Sequence, residues 1–567
     1  MRRILATCLC AVITIDGATA FPAETVPINP PTLTQAAPAD RSRIDTDATL
    51  ARRLKAEPTS LNPLLMFTAV DAEFDYLLWD RPFVVTAELD WKLNDAVASE
   101  YNESTDHTQA TLVLKPGLTW HDGERFTSAD VEFSWRRIMD DRVVCRRART
   151  GPDEIAACEA LDPQTVRFTF KRPLPTNRWN VDFPIIPKHI YEPNLAEDPT
   201  LERSEANVQA NRAPVGNGPY RLVAWSGGQR IVLERWEDYP GPRPAFRRMV
   251  FNIVPDNNAA LLAFETGELE EMELSPQQFA RETDSERFAR VGVKGRADQW
   301  TTYYIGWNCN GSSPFLADAN VRRALCHSID IPRIIDHVFY GLFTPSYGLF
   351  HRDWWPAPEQ VDLYKFNPAE AGRLLDQAGW RFDPADGWRY KDCPRPDGTS
   401  ERVRAGFTIH LVQGSQTSPA VADLMQQDLK RLGVDMRSRV LEWSVFNQRN
   451  YDHEFDAYLS AWTPSRDPDE AWNLLHSDSR SGGRNYVGYA NPQVDQLFEK
   501  ARTAFSRDER RECYQRIARI VYEDAPYTFL VNAPTLWAFD KDLHGVAFSP
   551  RGPLNFYPGA LAWWRSK

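Results

Sequence analysis

At 567 residues the chain is too long for one hydrophobic core and long enough for two or three domains. Apolar residues make up 42% and charged residues 25%, the balance of an ordinary soluble globular protein. The formal net charge of −12 sets nucleic acid and anionic lipid aside as partners, because both require a basic face. Nineteen Trp and nineteen Tyr are many; most of these rings belong in domain cores, and several together can line a ligand cleft.

The chain opens on Met1-Arg2-Arg3, an apolar run over residues 4–15, and Ala18-Thr19-Ala20. This pattern predicts a secretory signal peptide cut after Ala20. Cys8 and Cys10 lie inside the apolar run, too early for lipoprotein processing. Residues 21–44 carry Pro22, Pro27, Pro30, Pro31 and Pro38 with little apolar content, which predicts a flexible or polyproline-like leader, a disordered tail. Export implies an oxidising compartment. Of the six later cysteines, Cys145 and Cys158 flank a short polar loop rich in Arg, so a local disulfide between them is expected. The pairing of Cys309, Cys326, Cys393 and Cys513 stays open; Cys326 and Cys513 fall in helical patterns and suit buried thiols.

A strand is predicted at 49–54, followed by Glu57-Pro58-Thr59-Ser60-Leu61-Asn62-Pro63. Residues 112–141 form a unit. Alternation at Leu112 and Leu114 gives a half-buried strand, and Pro116-Gly117 breaks it. Trp120-His121-Asp122-Gly123 turns the chain, and Thr127 or Ser128 caps a helix with Asp130 in its first turn and Val131, Trp135, Ile138 and Met139 on one face. A second strand lies at 165–170. Next comes Pro214-Val215-Gly216-Asn217-Gly218-Pro219-Tyr220, in which two glycines allow a backbone turn. It is not a phosphate loop: no Lys-Ser/Thr follows, and Pro219 removes an amide donor.

A strand over 303–308 is expected to cross into a second lobe. A helix from Val321 carries Leu325, Ser328 and Ile329 on one face. Strand, helix and strand then alternate at 407–412, 420–432 and 434–441, which implies an α/β lobe with mainly parallel pairing. Glu442-Trp443 follows the last of these strands at its C-terminal end, where open α/β sheets bind ligands. Another strand, 455–462, ends on Trp462 and runs into Thr463-Pro464-Ser465-Arg466-Asp467-Pro468.

From about residue 48 to the end, these blocks resemble the family 5 extracytoplasmic solute-binding proteins, the peptide, nickel and oligosaccharide receptors of ABC importers. The likeness rests on E-P-T-S-L-N-P at 57–63, W-H-D-G with T-S-A-D-V-E-F-S at 120–134, G-N-G-P-Y at 216–220, and V-R-R-A-L-C-H-S-I-D at 321–330. It implies an α/β, two-lobed periplasmic-binding-protein fold of type II-like form, with a small extra domain inserted in the first lobe. The expected division is a signal peptide at 1–20, the leader at 21–44 and lobe I at 45–83 and 213–300. The small domain takes 84–212 and lobe II 301–533, and 534–567 returns to lobe I.

The resemblance also implies a site. Thr68 and Ala69 fall where family members present backbone to the ligand, and Trp443 and Trp462 where peptide-binding relatives line their cleft. Those relatives read G-W-x-x-D-x-x-D-P, and the first Asp anchors the ligand's amino terminus. Here Ser465 stands in that position. Asp467 or another nearby acid can take over, or Arg466 can seek an acidic group. The function implied is capture of a small solute, a peptide as the best single choice, by a monomer outside the cytoplasm that delivers it to ABC importer membrane subunits. No cofactor, metal or catalytic residue is expected. A hydrolase finds no support in the ten His, none in ligand spacing, or in any G-x-S-x-G elbow. A sensor or scaffold that kept the binding fold is the remaining alternative.

Overall fold

The computed structural model describes residues 29–567 apart from 67, 362, 363, 396 and 464. The expected signal peptide and its cleavage after Ala20 lie outside the described residues. Part of the expected leader lies within them, and from residue 29 it is a packed strap and not a disordered tail. Leu33 is buried, its carbonyl accepts from Val546 N at 3.0 Å, and Trp564 Nε1 donates to the Gln35 carbonyl at 3.0 Å. The chain turns here, Leu33 N donating to the Pro30 carbonyl at 2.9 Å. Leu33 and the carbonyls of Thr32, Leu33 and Gln35 thereby find partners in the C-terminal tail.

One eleven-stranded sheet runs through both lobes. Its middle strands, Gly292–Trp307 and Tyr527–Asp540, are long and antiparallel. They pair from Gly292 opposite Asp540 to Gly306 opposite Tyr527, and the register slips between Asp298 and Thr301. A bulge bends and twists a ribbon, so a single pair of strands can serve two lobes set at an angle. The expected lobe boundaries, after 300 and after 533, fall inside these strands at facing positions, Thr301 opposite Ala533.

On the lobe I side the sheet continues through Glu271–Glu273, Thr49–Leu54, Arg248–Ile253, Arg230–Arg235 and Tyr220–Ser226. On the lobe II side it continues through Ala457–Trp462, Gly406–Val412 and Asp435–Leu441. Gly406–Val412 is parallel to both of its neighbours, and the helix Ser418–Arg431 makes the crossover that parallel pairing requires. The expected parallel pairing therefore holds for the outer strands of lobe II, while the strands that enter it are antiparallel.

A separate four-stranded antiparallel sheet, Ala98–Glu103, Gln109–Leu114, Thr165–Phe170 and Ile155–Ala160, forms the small domain. Ala110, Leu112 and Leu114 point inward from one strand, as period-two alternation requires. The helix Ser128–Ile138 covers this sheet. Asp130 Oδ2 accepts from Thr127 N at 2.8 Å, closing the first turn. The apolar interior is continuous with lobe I: Leu112, Val131 and Phe168 belong to the same cluster as Leu50 and Phe251.

The expected disulfide between Cys145 and Cys158 is absent, and both are free, buried thiols. Cys145 Sγ donates to the Ile138 carbonyl at 3.5 Å, at the C-terminal end of the helix. Cys158 has Glu132 and Arg136 as charged neighbours, and Glu132 Oε2 accepts from nearby Ala160 N at 3.0 Å. Residues 132 and 138 stand roughly 9 Å apart along a helix axis at 1.5 Å per residue. A disulfide spans only ~2 Å between sulfurs.

Candidate ligand cleft

The lobe I wall starts at a capped turn. Asp71 N donates to Thr68 Oγ1 at 3.0 Å, and Thr68 N donates to the Asp71 carboxylate at 2.8 Å. The same buried carboxylate takes Thr59 N at 2.7 Å and Thr59 Oγ1 at 2.9 Å. The 57–63 block and the lip at Thr68 and exposed Ala69 are thus tied through one acid. The helix Asp75–Leu78 follows, and the 216–218 loop lies directly on its end. A Cβ on Gly216 would sit 2.0 Å from the Leu78 carbonyl oxygen, and one on Gly218 2.6 Å from the Leu78 carbonyl carbon. Glycine is required here by close backbone approach. Asn217 clamps the next stretch, with Oδ1 accepting from Asp80 N at 2.9 Å and Nδ2 donating to Asp80 O at 3.1 Å.

His121 closes the same loop. Its Nδ1 accepts from Gly216 N at 3.2 Å, so Nε2 carries the proton and donates to the Gly218 carbonyl at 2.9 Å. Burial pushes its pKa down to about 4. The ring is a neutral structural bridge, while Asp122 faces His189 at 2.8 Å, so His121 and Asp122 do not form an acid–base pair.

The lobe II wall is aromatic. The strand Ala457–Trp462 delivers Trp462 onto Tyr304, ring centroids 3.9 Å apart, with Tyr527 at 4.8 Å. Trp443 opens the helix Trp443–Tyr451, is 49% exposed, and stacks on Phe446 at 6.0 Å. Phe446 meets Tyr458 at 6.0 Å and Tyr458 meets Tyr304 at 5.9 Å. Trp443 and Trp462 therefore stand at two ends of one connected run of rings.

After Trp462 the side chains diverge. Ser465 Oγ donates to the Asp467 carbonyl at 2.8 Å. Asp467 is 9% exposed; its carboxylate accepts from two nitrogens of Arg510, one at 3.0 Å, and from Asp469 N at 2.9 Å. An amine binding there would have to displace Arg510. Arg466 points the opposite way and pairs with Asp182 of the small domain.

Other contacts join the lobes. Arg502 reaches Glu154 at 3.1 Å and Asp469 at 3.2 Å, Arg172 lies 3.7 Å from Glu499, and the His107 ring stacks on Phe505 at 4.3 Å. Around Arg466 the cleft holds Tyr76, Arg81 and Arg551, with Arg81 paired to Asp75 at 2.6 Å. Tyr76, Arg81, Asp182 and Arg551 escaped the sequence reading. They come from three distant stretches, and in a chain with 25% charged residues nothing in their spacing marks them.

The described residues thus form a two-lobed α/β protein with a cleft between an ion-paired wall and an aromatic one. A family model of the bacterial extracellular solute-binding proteins, family 5, matches residues 92–483, and the chain belongs to this family. The chain is 27% identical over 521 residues to the oligopeptide-binding protein AppA of Bacillus subtilis (strain 168), covering 90% of each. It is 24% identical over 487 residues to the dipeptide-binding protein of Escherichia coli (strain K12), covering 81% of this chain and 84% of that one. Among solved structures, AppA from Bacillus subtilis in complex with a nonapeptide matches with a TM-score of 0.79 at 25% identity, over 92% of this chain and 100% of that one. DppA from Helicobacter pylori in complex with the peptide STSA matches with a TM-score of 0.78 at 20% identity, over 93% and 99%, and bears on the fold alone.

Proposed function

We propose that this chain captures a peptide outside the cytoplasm and hands it to the membrane subunits of an ABC importer, closing two lobes over the ligand as a monomer. The observation that carries the reading is the cleft itself. Contacts cross it from both lobes, and exposed Trp443 and half-buried Trp462, backed by the buried ring of Tyr304, offer area for side chains of varied shape. Likeness to an oligopeptide-binding protein over nine-tenths of the chain supports a peptide as the solute. Ala69 opens a helix, whose first backbone N–H groups have no intrahelical partner, and the Ser465 hydroxyl, donating to Asp467, still has lone pairs to accept with; such groups hold an extended peptide whatever its sequence, while Thr68 fixes the turn. In this reading the cleft does no chemistry. No helix among the described residues is long and apolar enough to cross a membrane. An extracytoplasmic site is the one such an importer requires.

Titration calorimetry with a set of tripeptides to nonapeptides tests the proposal. Binding near a micromolar Kd, about −8 kcal/mol, is expected for at least one length, with a smaller radius of gyration in the complex. Trp443→Ala should cost about 1–3 kcal/mol of that affinity. No binding by any peptide at millimolar concentration would overturn it.

A further inference from the structure

One cation at the centre of the cleft lacks a bonded carboxylate. Asp75 is taken by Arg81, Asp182 by Arg466 and Asp467 by Arg510. Glu470 remains, an exposed acid on the lobe II side. Against it stands Arg551, which has no carboxylate partner among the described residues and whose Nε is buried with no hydrogen-bond partner. Its charged neighbours are Tyr76 of lobe I, Arg466 and Glu470 of lobe II and Arg147 of the small domain. Arg81 and Arg466 are each matched by a carboxylate, Asp75 and Asp182, while Arg551, with the exposed Glu470 as its acidic neighbour, has no such bonded partner.

Arg551 is held in place by its loop. Ser549 Oγ accepts from Arg551 N at 3.0 Å and donates to the Gly552 carbonyl at 2.9 Å. Trp300 N donates to the Pro550 carbonyl at 2.9 Å, which fixes the loop on the bulge of the long central ribbon. The guanidinium thus sits at the hinge, where lobe I meets the approaching Arg466. Burial works against its charge, Glu470 offsets that only in part, and a cation drawn from water without a bonded carboxylate is costly.

We infer that Arg551 receives a carboxylate of the bound solute. The inference rests on the peptide reading above and assigns the chemistry of one ligand group. It also couples binding to closure. Bringing Arg466 of lobe II beside Arg551 sets two like charges together, and a carboxylate between them converts that repulsion into attraction. The ligand then stabilises the closed state through contacts that the open state lacks.

The test is calorimetry on the full chain with Ala-Ala-Ala, its C-terminal amide, and Ala-Glu-Ala amide, for wild type, Arg551→Ala and Arg551→Lys. Amidation is expected to weaken wild-type binding at least tenfold. Arg551→Ala should weaken the free acid by a similar factor and leave the amide within about threefold, so the two losses do not add. Ala-Glu-Ala amide binding as the free acid does, and losing it in Arg551→Ala, would place a side-chain carboxylate at the site in place of the terminus. Equal binding of acid and amide to wild type would overturn the inference, as would equal weakening of both by Arg551→Ala. If Arg551→Ala does not fold, the wild-type acid-to-amide ratio and Arg551→Lys, expected to keep part of it, decide. Should no peptide bind, glutarate against glutaramide, read by thermal shift, separates the two ideas. Stabilisation of wild type by glutarate alone, lost in Arg551→Ala or Arg551→Lys, would keep the carboxylate site and overturn the peptide reading. No glutarate effect would overturn both.

Discussion

Arg466 and Asp467 are neighbours in sequence and each is ion-paired, yet their partners lie on opposite sides of the cleft. Arg466 reaches the small domain at Asp182; Asp467 turns inward to Arg510 on the helix Arg507–Asp524 of its own lobe. The chemistry is identical and the consequence differs, because one pair forms only when the lobes meet and the other exists as long as lobe II is folded. An ion pair's role follows from what its two ends are attached to.

The largest test breaks the inner pair. Asp467→Asn or Arg510→Ala leaves a buried charge without its partner, which costs about 3–5 kcal/mol. Urea unfolding should show that loss, with the radius of gyration of the folded protein unchanged. A stability within about 1 kcal/mol of wild type would mean that Asp467 is not a structural acid.

The outer pair should behave in the opposite way. Asp182 is 4% exposed on its side chain, so Arg466→Ala leaves it unpaired in the closed arrangement at a cost of about 1–3 kcal/mol. Opening the lobes returns Asp182 to water and removes that cost. Small-angle scattering should show a larger radius of gyration for Arg466→Ala with little change in urea stability. A compact variant would place the closing force elsewhere.

What the sequence disclosed divides along the same line. Contacts local to a motif were legible: the Thr127–Asp130 cap and the outer parallel strands of lobe II follow from residues within reach of one another along the chain, whereas the need for glycine at 216 and 218 comes from the distant backbone of Leu78. The partner of Asp467 lies 43 residues on, and that of Arg466 lies 284 residues back. Periodicity reports which face of an element is apolar, and it carries no information about which distant charge meets which. Cys145 and Cys158 failed for a related reason: their short separation along the chain concealed that the two sulfurs lie at different heights along one helix.

A weaker contact sharpens the contrast further. Arg172 and Glu499 approach only to 3.7 Å and remain 37% and 48% exposed. Exposed pairs contribute about 0–1 kcal/mol and are screened at high salt. Glu499→Gln should shift closure by under about 1 kcal/mol, an effect measurable by scattering at low salt and absent near ~1 M, where the Debye length is about 3 Å. A salt-independent effect would show that this pair is more deeply engaged than its exposure implies.

The smallest expected effect concerns pH, through Asp469, which stands between the two regions. Its carboxylate meets Arg502 at 3.2 Å and Tyr514 OH at 3.4 Å. Burial is the dominant influence, Arg502 offsets only part of it, and the pKa rises from 3.8 to about 6. An acid with a raised folded pKa binds its proton more tightly when folded. Its stabilising contribution is therefore full below about pH 4 and is lost as pH climbs through about 6. Glu73 and Asp80, lifted to about 7 by burial, act in the same direction. His121 and His351, pushed down to about 4 by burial, act in the opposite one, so the wild-type profile should be shallow. Asp469→Asn deletes one component without touching the others. The Tm at about pH 5 minus the Tm at about pH 7 should consequently be smaller in the variant than in wild type, read by calorimetry in matched buffers. An unchanged difference would mean that Asp469 titrates alike in the folded and unfolded chain, and that Arg502 and not burial governs it.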